Sequence, residues 1–438
     1  MSKYEALYKR LRLDILDGNY RYKEKLPSIR EMEKNTGLSR TTIEAAYGQL
    51  LVEGYIVSRH KSGYFVDVDL KQKQEMAILK QPHCPYLRVH YDYDFSGGAV
   101  DPSSFNMELW KKYIRQALQE QESLYEYGQQ QGELVLRQAL CHYTSMYRGV
   151  HASEEQMVIG SGFQALLTIL CGLLKNVKRV GMPRSGFLHA QMIFSDFNIE
   201  TIMLEEDEDG IVMDSLYNVE IDFLYLNTSS AGQKSGALPI SRRLQIIEYA
   251  KAHSIFIIED DHNGELRYSA KPVPAMQGQD PEHIIYIGSF SKLMVPSLRI
   301  AYMVLPLSLL DKYSIKRDYY HQNVSKLEQI ALAYFIEDGQ LIRQLKRLRR
   351  LYSKKSRMLI DSLNLYFDHP QIQLEETALR VRVTFQFLLD AEGILKNAHE
   401  HGIDLQIQQK QCLLSFSSIS LDKIEEGIKQ LSKIILTQ

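Results

Sequence analysis

The stretch GSFSKLMVPSLRIAYMV, Gly288 to Val304, holds one lysine, Lys292, just behind the apolar run IIYI and flanked by hydroxyl residues. Arg299 follows seven positions later, among residues too apolar for a solvated face. Thirty-two residues before Lys292, the stretch IFIIEDDHNGELRY closes an apolar run with three acids, Glu259, Asp260 and Asp261. Two strand ends can bring an acid and a lysine together at the carboxyl edge of an α/β sheet, where such sheets bind ligands. Pyridoxal phosphate needs that pair. The lysine forms a Schiff base with the aldehyde, and the acid keeps the pyridine nitrogen protonated. The phosphate needs hydroxyls, an arginine and a helix N-terminus. Ser289 and Arg299 flank the lysine, and VIGSGFQALLTIL offers the backbone N–H groups of Ser161, Gly162 and Phe163 at the start of a helix. Taken singly, Lys292 reads as a surface lysine and GSG as a turn. Only their convergence defines a site.

The elements that must position these residues are legible from His90 onward. Strand-like runs (QMVIG, FLYLN, IFIIED, IIYIGSF) alternate with amphipathic helical stretches. That alternation predicts an α/β domain with a mostly parallel sheet over residues 90–438. Ahead of it, residues 69–89, rich in Lys, Gln and Pro, read as a linker.

Residues 1–68 are a different module. Tyr4, Leu7, Leu11 and Ile15 recur at helical spacing until Gly18 stops the helix. Ser28 and Glu31 form an S-x-x-E capping box that starts a second helix, which Gly37 ends. Ser39 caps a third, with an apolar face of Ile43, Ala46, Tyr47 and Leu50. Arg40, Thr41 and Thr42 then occupy its exposed first turn, which in a helix-turn-helix meets base edges and phosphates. YIVSR and YFVDV alternate around HKSG and predict a hairpin wing. This segment holds 12 basic and 9 acidic residues, a net +3, which leaves −5 for the rest of a chain whose total is −2. The sign suits a nucleic-acid module. A small helical bundle with a solvated charged face fits the periodicity equally well.

Resemblance separates these readings. LPSIREM, GLSRTTIEAAYGQLLVEGYI and SGYFV resemble the winged helix-turn-helix of the GntR family. YGQQQGELVLRQAL, IGSGFQALLTIL, IIEDDHNGELRY and IYIGSFSKLMVPSLRIAYMVLP resemble fold-type I aminotransferases. In this order the whole chain resembles the MocR subgroup of GntR regulators, a winged helix fused to an aminotransferase-like domain. The resemblance implies contacts to a double-stranded DNA operator from Arg30, Ser39, Arg40, Thr41 and Thr42, with Lys61 and Gly63 on the wing. It implies that Lys292 holds the pyridoxal phosphate aldehyde and that Asp260 pairs with the pyridinium. Ser161, Gly162, Ser289 and Arg299 would hold the phosphate, and Phe187 would stack on the ring. Tyr127 would reach the phosphate of a partner subunit, so a homodimer is implied.

The first module departs from its family at YKEK, where Pro and Gly usually precede the Leu-Pro, and the aminotransferase-like domain departs in three places. His262 stands where the family has a tyrosine, and can donate to the phenolic oxygen with a different reach. TSSAGQKSG, Thr228 to Gly236, replaces the usual T-P-S-H-Q-x-P-x-G, with Gln233 as the substitute ring contact. Leu413, in CLLSFSS, takes the slot of the arginine that grips a ligand carboxylate; Arg380 or Arg382 in ALRVRV could substitute. The expected function is a transcription regulator that senses the cofactor, or an amine or amino-acid effector, without significant turnover. The alternatives are a working aminotransferase with an appended DNA-binding module, and a regulator whose cofactor site has decayed into a dimer scaffold.

Composition bounds the rest. The longest apolar run near the middle, ALLTILCGLL, is too short to span a bilayer, and no secretion signal is read at the start. Cys84, Cys141, Cys171 and Cys412 lack metal-type spacing, which suits reduced thiols in a cytoplasmic protein.

Overall fold

The computed structural model describes residues 3–68, 91–174, 176–232, 236–385, 390–408 and 411–436. The chain divides into two compact units, Met1–Val89 and His90–Gln438. The segment expected to be a linker, and Gln233, lie outside the described residues.

In the first unit, helix α1 (Lys3–Leu16) buries Leu7, Leu11 and Ile15, one face at a spacing of four. Tyr4 departs from the expected stripe and stays exposed, because it sits at the helix end. Helix α2 (Ile29–Thr36) opens on the anticipated capping box: the Ser28 N–H donates to the Glu31 carboxylate at 2.7 Å, and the Glu31 N–H donates to Ser28 Oγ at 3.3 Å. Gly37, with φ of 67°, supplies the left-handed residue that ends it. Helix α3 (Arg40–Val52), capped by Ser39, buries Ile43, Ala46, Tyr47 and Leu50. Strands β1 (Ile56–Arg59) and β2 (Gly63–Val66) form an antiparallel hairpin from Ile56↔Val66 to Arg59↔Gly63. Tyr47 locks the hairpin to α3. Its ring meets Tyr64 edge-on at 5.1 Å, and its hydroxyl donates to the Pro27 carbonyl at 2.8 Å. A buried aromatic pair adds about 0.5–1.5 kcal/mol beyond area burial, so this contact holds wing and helix in one body.

The second unit is built on a seven-stranded sheet in the order Met157–Gly160, Ala301–Val304, Ile284–Ser289, Phe256–Asp260, Phe223–Leu226, Arg179–Pro183, Glu200–Leu204. Only Ala301–Val304 runs antiparallel to its neighbours. The strands are continuous apolar runs because both faces are covered. Tyr225, Ile258 and Ile287 enter one core cluster, while Leu224, Leu226 and Ile257 enter another on the opposite face.

A four-stranded antiparallel sheet follows, in the order Gln371–Glu375, Arg380–Thr384, Gln411–Ser415, Gln406–Gln408. Val381, Val383, Cys412 and Leu414 face its core, which the helices Gln340–Tyr366 and Ile424–Leu436 help build. Pairing across the sheet sets Arg380 opposite Ser415 and Arg382 opposite Leu413. Those four share the other face.

Candidate cofactor site

The Phe256–Asp260 strand and the turn after it end in three buried acids that do three different jobs. Glu259 accepts from Thr228 Oγ1 at 2.6 Å and from the N–H groups of Met276 and Gln277 at 2.7 and 2.8 Å. It ties the sheet to a loop. Asp261 is closed by the Arg148 guanidinium at 2.6 Å, with Ser229 Oγ at 2.6 Å and the Tyr286 hydroxyl at 2.7 Å. Asp260 alone of the three faces a cavity. Its side-chain partner is the Tyr225 hydroxyl, which donates at 2.6 Å. Burial pushes the Asp260 carboxyl up to about 7, although the Tyr225 bond works against that.

The cavity, about 390 Å³, lies at the carboxyl edge of the parallel strands. It gathers Gly162, Phe163, Phe187, Asp260, His262, Ser289 and Arg299. The Arg299 guanidinium lies against Gly162, where an added Cβ would come within 2.7 Å of Nη2. Gly162 has φ of 111° and heads the helix Phe163–Leu173, so guanidinium and helix N-terminus converge. Among the described residues, no carboxylate pairs with Arg299. Phe187 stacks on His189 at 4.7 Å, and Phe163 meets Phe187 edge-on at 5.7 Å. These rings give the cavity an aromatic side. Burial, reinforced by the charge of Lys292, lowers His262 to about 4, so its imidazole is neutral near pH 7.

The donor set fits pyridoxal phosphate on these observations. An unpaired guanidinium meets a helix N-terminus, a buried carboxyl stands at a strand end, and an aromatic wall adjoins them.

Other expected residues lie elsewhere. Ser161 lines an adjoining open cleft with Tyr319 and His321, and its N–H is taken by Asn323 Oδ1 at 2.9 Å. Tyr127 is fully exposed. Lys292 does not line the cavity; its Nζ donates to the carbonyls of Gly97 at 2.8 Å and Ala99 at 3.0 Å. Burial lowers the Lys292 amine to about 8, against the opposing charge of Asp94. Leu413 is buried. Arg380 and Arg382 are both closed onto Glu375. Among the cavity residues that sequence reasoning missed are Asn227 and His189. Asn227 is placed by local turn bonds, its Oδ1 accepting from the N–H groups of Ser229 and Ser230 at 3.1 and 2.9 Å. Its position directly after the apolar run FLYL was the available clue.

In the first unit, Arg40, Thr41 and Thr42 form the first turn of α3, with Arg40 and Thr41 exposed and Thr42 half-buried. Ser39 Oγ caps that turn and lies 3.1 Å from Thr41 Oγ1 and 2.8 Å from Thr42 Oγ1. Arg40 pairs with Glu44 at 2.8 Å on the surface. Arg30 lies in the first turn of α2, Lys61 in the wing turn with φ of 58°, and Gly63 at the start of β2 with φ of 108°.

Residues 3–66 match the bacterial regulatory proteins of the gntR family, and residues 94–374 match aminotransferase class I and II. An uncharacterized HTH-type transcriptional regulator of Bacillus subtilis, YdeL, is 33% identical over 98% of this chain and 96% of its own. This chain belongs to the GntR-family HTH-type transcriptional regulators that carry an aminotransferase domain. The MocR-like regulator also matches a probable rhizopine catabolism regulatory protein, MocR, of Rhizobium meliloti, at 27% identity over 99% of this chain and 94% of the other. Its second unit shares the fold of a kynurenine aminotransferase from Pyrococcus horikoshii, with a TM-score of 0.70 and 20% identity, over 88% of this chain and 98% of that one. Among the described residues no helix is long and apolar enough to cross a membrane.

Proposed function

We propose that this MocR-like regulator binds pyridoxal phosphate in its second unit and that the cofactor, or an amine or amino acid reacting there, sets how tightly the winged helix holds its operator. One observation carries the reading. The cavity brings together a buried carboxyl, Asp260, and an unpaired guanidinium, Arg299, against the Gly162 helix start, at the strand edge from which Lys292 also springs. Bound pyridoxal phosphate supplies a reactive aldehyde and an electron-withdrawing ring. Asp260 holds the proton at the ring nitrogen, and Tyr225 fixes the carboxylate that does so. Arg299, Ser289 and the N–H groups at Gly162 and Phe163 hold the phosphate. His262 donates to the phenolic oxygen as a neutral imidazole, and Phe187 covers one ring face. Lys292 provides the attaching amine, and Tyr127 serves the partner's site in a homodimer.

On the DNA side, Arg40, Thr41 and Thr42 enter the major groove, and Arg30, Ser39, Lys61 and Gly63 contact the backbone and flanking groove. The test is operator binding by the purified full-length protein, with and without pyridoxal phosphate, together with its visible spectrum. A cofactor-dependent spectrum with altered operator affinity is expected. A protein that takes up no pyridoxal phosphate at micromolar concentration sinks the reading.

A further inference from the structure

The Lys292 amine does not line the cavity it should serve and instead occupies a ready-made acceptor set. Its Nζ donates to the carbonyls of Gly97 and Ala99 at 2.8 and 3.0 Å and lies 3.4 Å from Ser417 Oγ. An ammonium has three donors and no acceptor, and it meets three oxygens here. The oxygens are themselves organised. Ser417 Oγ donates to the Ala99 carbonyl at 3.0 Å and lies 3.1 Å from Ser415 Oγ. Gly97 has φ of 80°, and a Cβ there would strike Ser415 Oγ at 2.8 Å, so the loop is pressed onto the end of the Gln411–Ser415 strand.

This loop lies near the start of the second unit, which begins at His90. It is anchored at both ends. Phe95 N–H donates to the Asp404 carbonyl at 2.7 Å, the Ser415 N–H donates to the Phe95 carbonyl at 2.8 Å, and the Asp101 N–H donates to the Ser417 carbonyl at 2.8 Å. Asp101 is also paired with Lys355 at 2.7 Å. Between these anchors, the contacts that hold the Gly97 and Ala99 carbonyls come from Lys292 and Ser417.

We infer that Lys292 has two stations: Gly97, Ala99 and Ser417 form a dock for its ammonium group, occupied whenever Nζ is not bonded to the cofactor, and leaving the dock loosens the 97–100 loop. The attachment half rests on the proposed function. Condensation joins Nζ to the aldehyde carbon, releases one water and removes at least two of the three N–H donors. The trigonal nitrogen then lacks the donors to hold two carbonyls, and it must also turn toward the cavity. The Gly97 carbonyl loses its side-chain donor, while Ala99 keeps Ser417. Ser417 is therefore a positioning residue for Lys292, and the 97–100 loop reads whether the amine is free.

Hydrogen exchange at the Asp101 amide, which closes this loop by donating to the Ser417 carbonyl, tests this in the full-length protein. In the cofactor-free protein, Lys292→Met should speed exchange there by about tenfold, the scale of one hydrogen bond to a charged group. Ser417→Ala should give a smaller rise. Adding pyridoxal phosphate should speed exchange in the wild type and change nothing further at this loop in Lys292→Met. Unchanged exchange in cofactor-free Lys292→Met overturns the dock. If that variant loosens the whole domain, Ser417→Ala decides, and unchanged exchange at the Asp101 amide there overturns it. Cofactor attached to Lys292 with the loop still protected overturns the coupling while leaving the proposed function intact. Failure of pyridoxal phosphate to attach overturns the proposed function, whereas the cofactor-free comparison still judges the dock.

Discussion

The Tyr225 hydroxyl donates to the Asp260 carboxylate at 2.6 Å across two neighbouring parallel strands. Both side chains are buried, and this bond opposes the burial that raises Asp260 to about 7. The folded state therefore keeps a proton on Asp260 at a pH where the unfolded chain has lost it. Stability from this group falls as pH rises from about 4 to about 7, because the native state binds the extra proton. Asp260→Asn removes the penalty. The cofactor-free variant should be more stable than wild type at pH 8 by on the order of 2–4 kcal/mol, with the difference vanishing toward pH 4. It should also lose tight cofactor binding. Denaturant melts at the two pH values check the sign, and a variant less stable at pH 8 contradicts it.

How far such a site can be read without coordinates depends on the residue. An acid of the 259–261 run and Arg299 were expected together because chemistry restricts their types and strand ends restrict their spacing, and Asp260 and Arg299 both line the cavity, whereas Lys292 does not. The recognition helix was legible because capping and an apolar stripe at helical period are local physics, and Ser28, Glu31, Ile43 and Leu50 all do what their neighbours dictate. Which of three consecutive acids faces the cavity came from the family resemblance and not from residue chemistry, since it depends on Arg148, more than a hundred positions away, closing on Asp261. Not legible were Asn323 reaching back to Ser161, and the Gly97 and Ala99 carbonyls that hold Lys292. These are long-range pairings with no periodic trace.

Attachment should be specific to Lys292. Its amine is lowered to about 8 by burial, so the neutral nucleophile is well populated near that pH. Borohydride treatment of the loaded protein should fix the cofactor covalently, and peptide mapping should find it on Lys292. Attachment to cofactor-free protein should quicken with pH and level off above about 8. Label on another lysine, or none, rules out the assignment.

Gly162→Ala should separate folding from cofactor binding. An alanine at φ of 111° is strained, and its Cβ would meet Arg299 Nη2 at 2.7 Å. The backbone cost is roughly 1–3 kcal/mol, within what a domain of this size tolerates. The guanidinium must move away from the helix start where the phosphate would sit. Cofactor affinity should fall at least tenfold while the melting curve stays cooperative. Unchanged affinity would mean that the phosphate binds elsewhere.

Arg40 stands at the first position of the recognition helix, exposed and tied to Glu44 by a surface pair. Such a solvent-exposed pair is weak and screened by salt, so the guanidinium can exchange it for a base edge. Arg40→Ala should weaken binding to the cognate operator by about 1–3 kcal/mol and blunt discrimination at one base position. Stability should shift by under about 0.5 kcal/mol. Equal affinity of variant and wild type for that operator excludes base reading by Arg40.

Turnover of ordinary amino acids should be poor, for a reason visible in the small sheet. Leu413 offers no charge, and Arg382, directly opposite it, is held with Arg380 by the Glu375 carboxylate. The two nearby guanidinium groups already share an internal carboxylate, so a ligand carboxylate must displace Glu375 to gain a bidentate partner. Single-turnover conversion of the bound cofactor to its amine form should therefore be slow with α-amino acids. Glu375→Gln should quicken it by freeing the arginines. Spectral change on adding an amine, accompanied by altered operator affinity but no turnover, is the expected wild-type behaviour. Rapid conversion by a common amino acid and its keto acid would make the second unit a working aminotransferase and reverse the regulator-first reading.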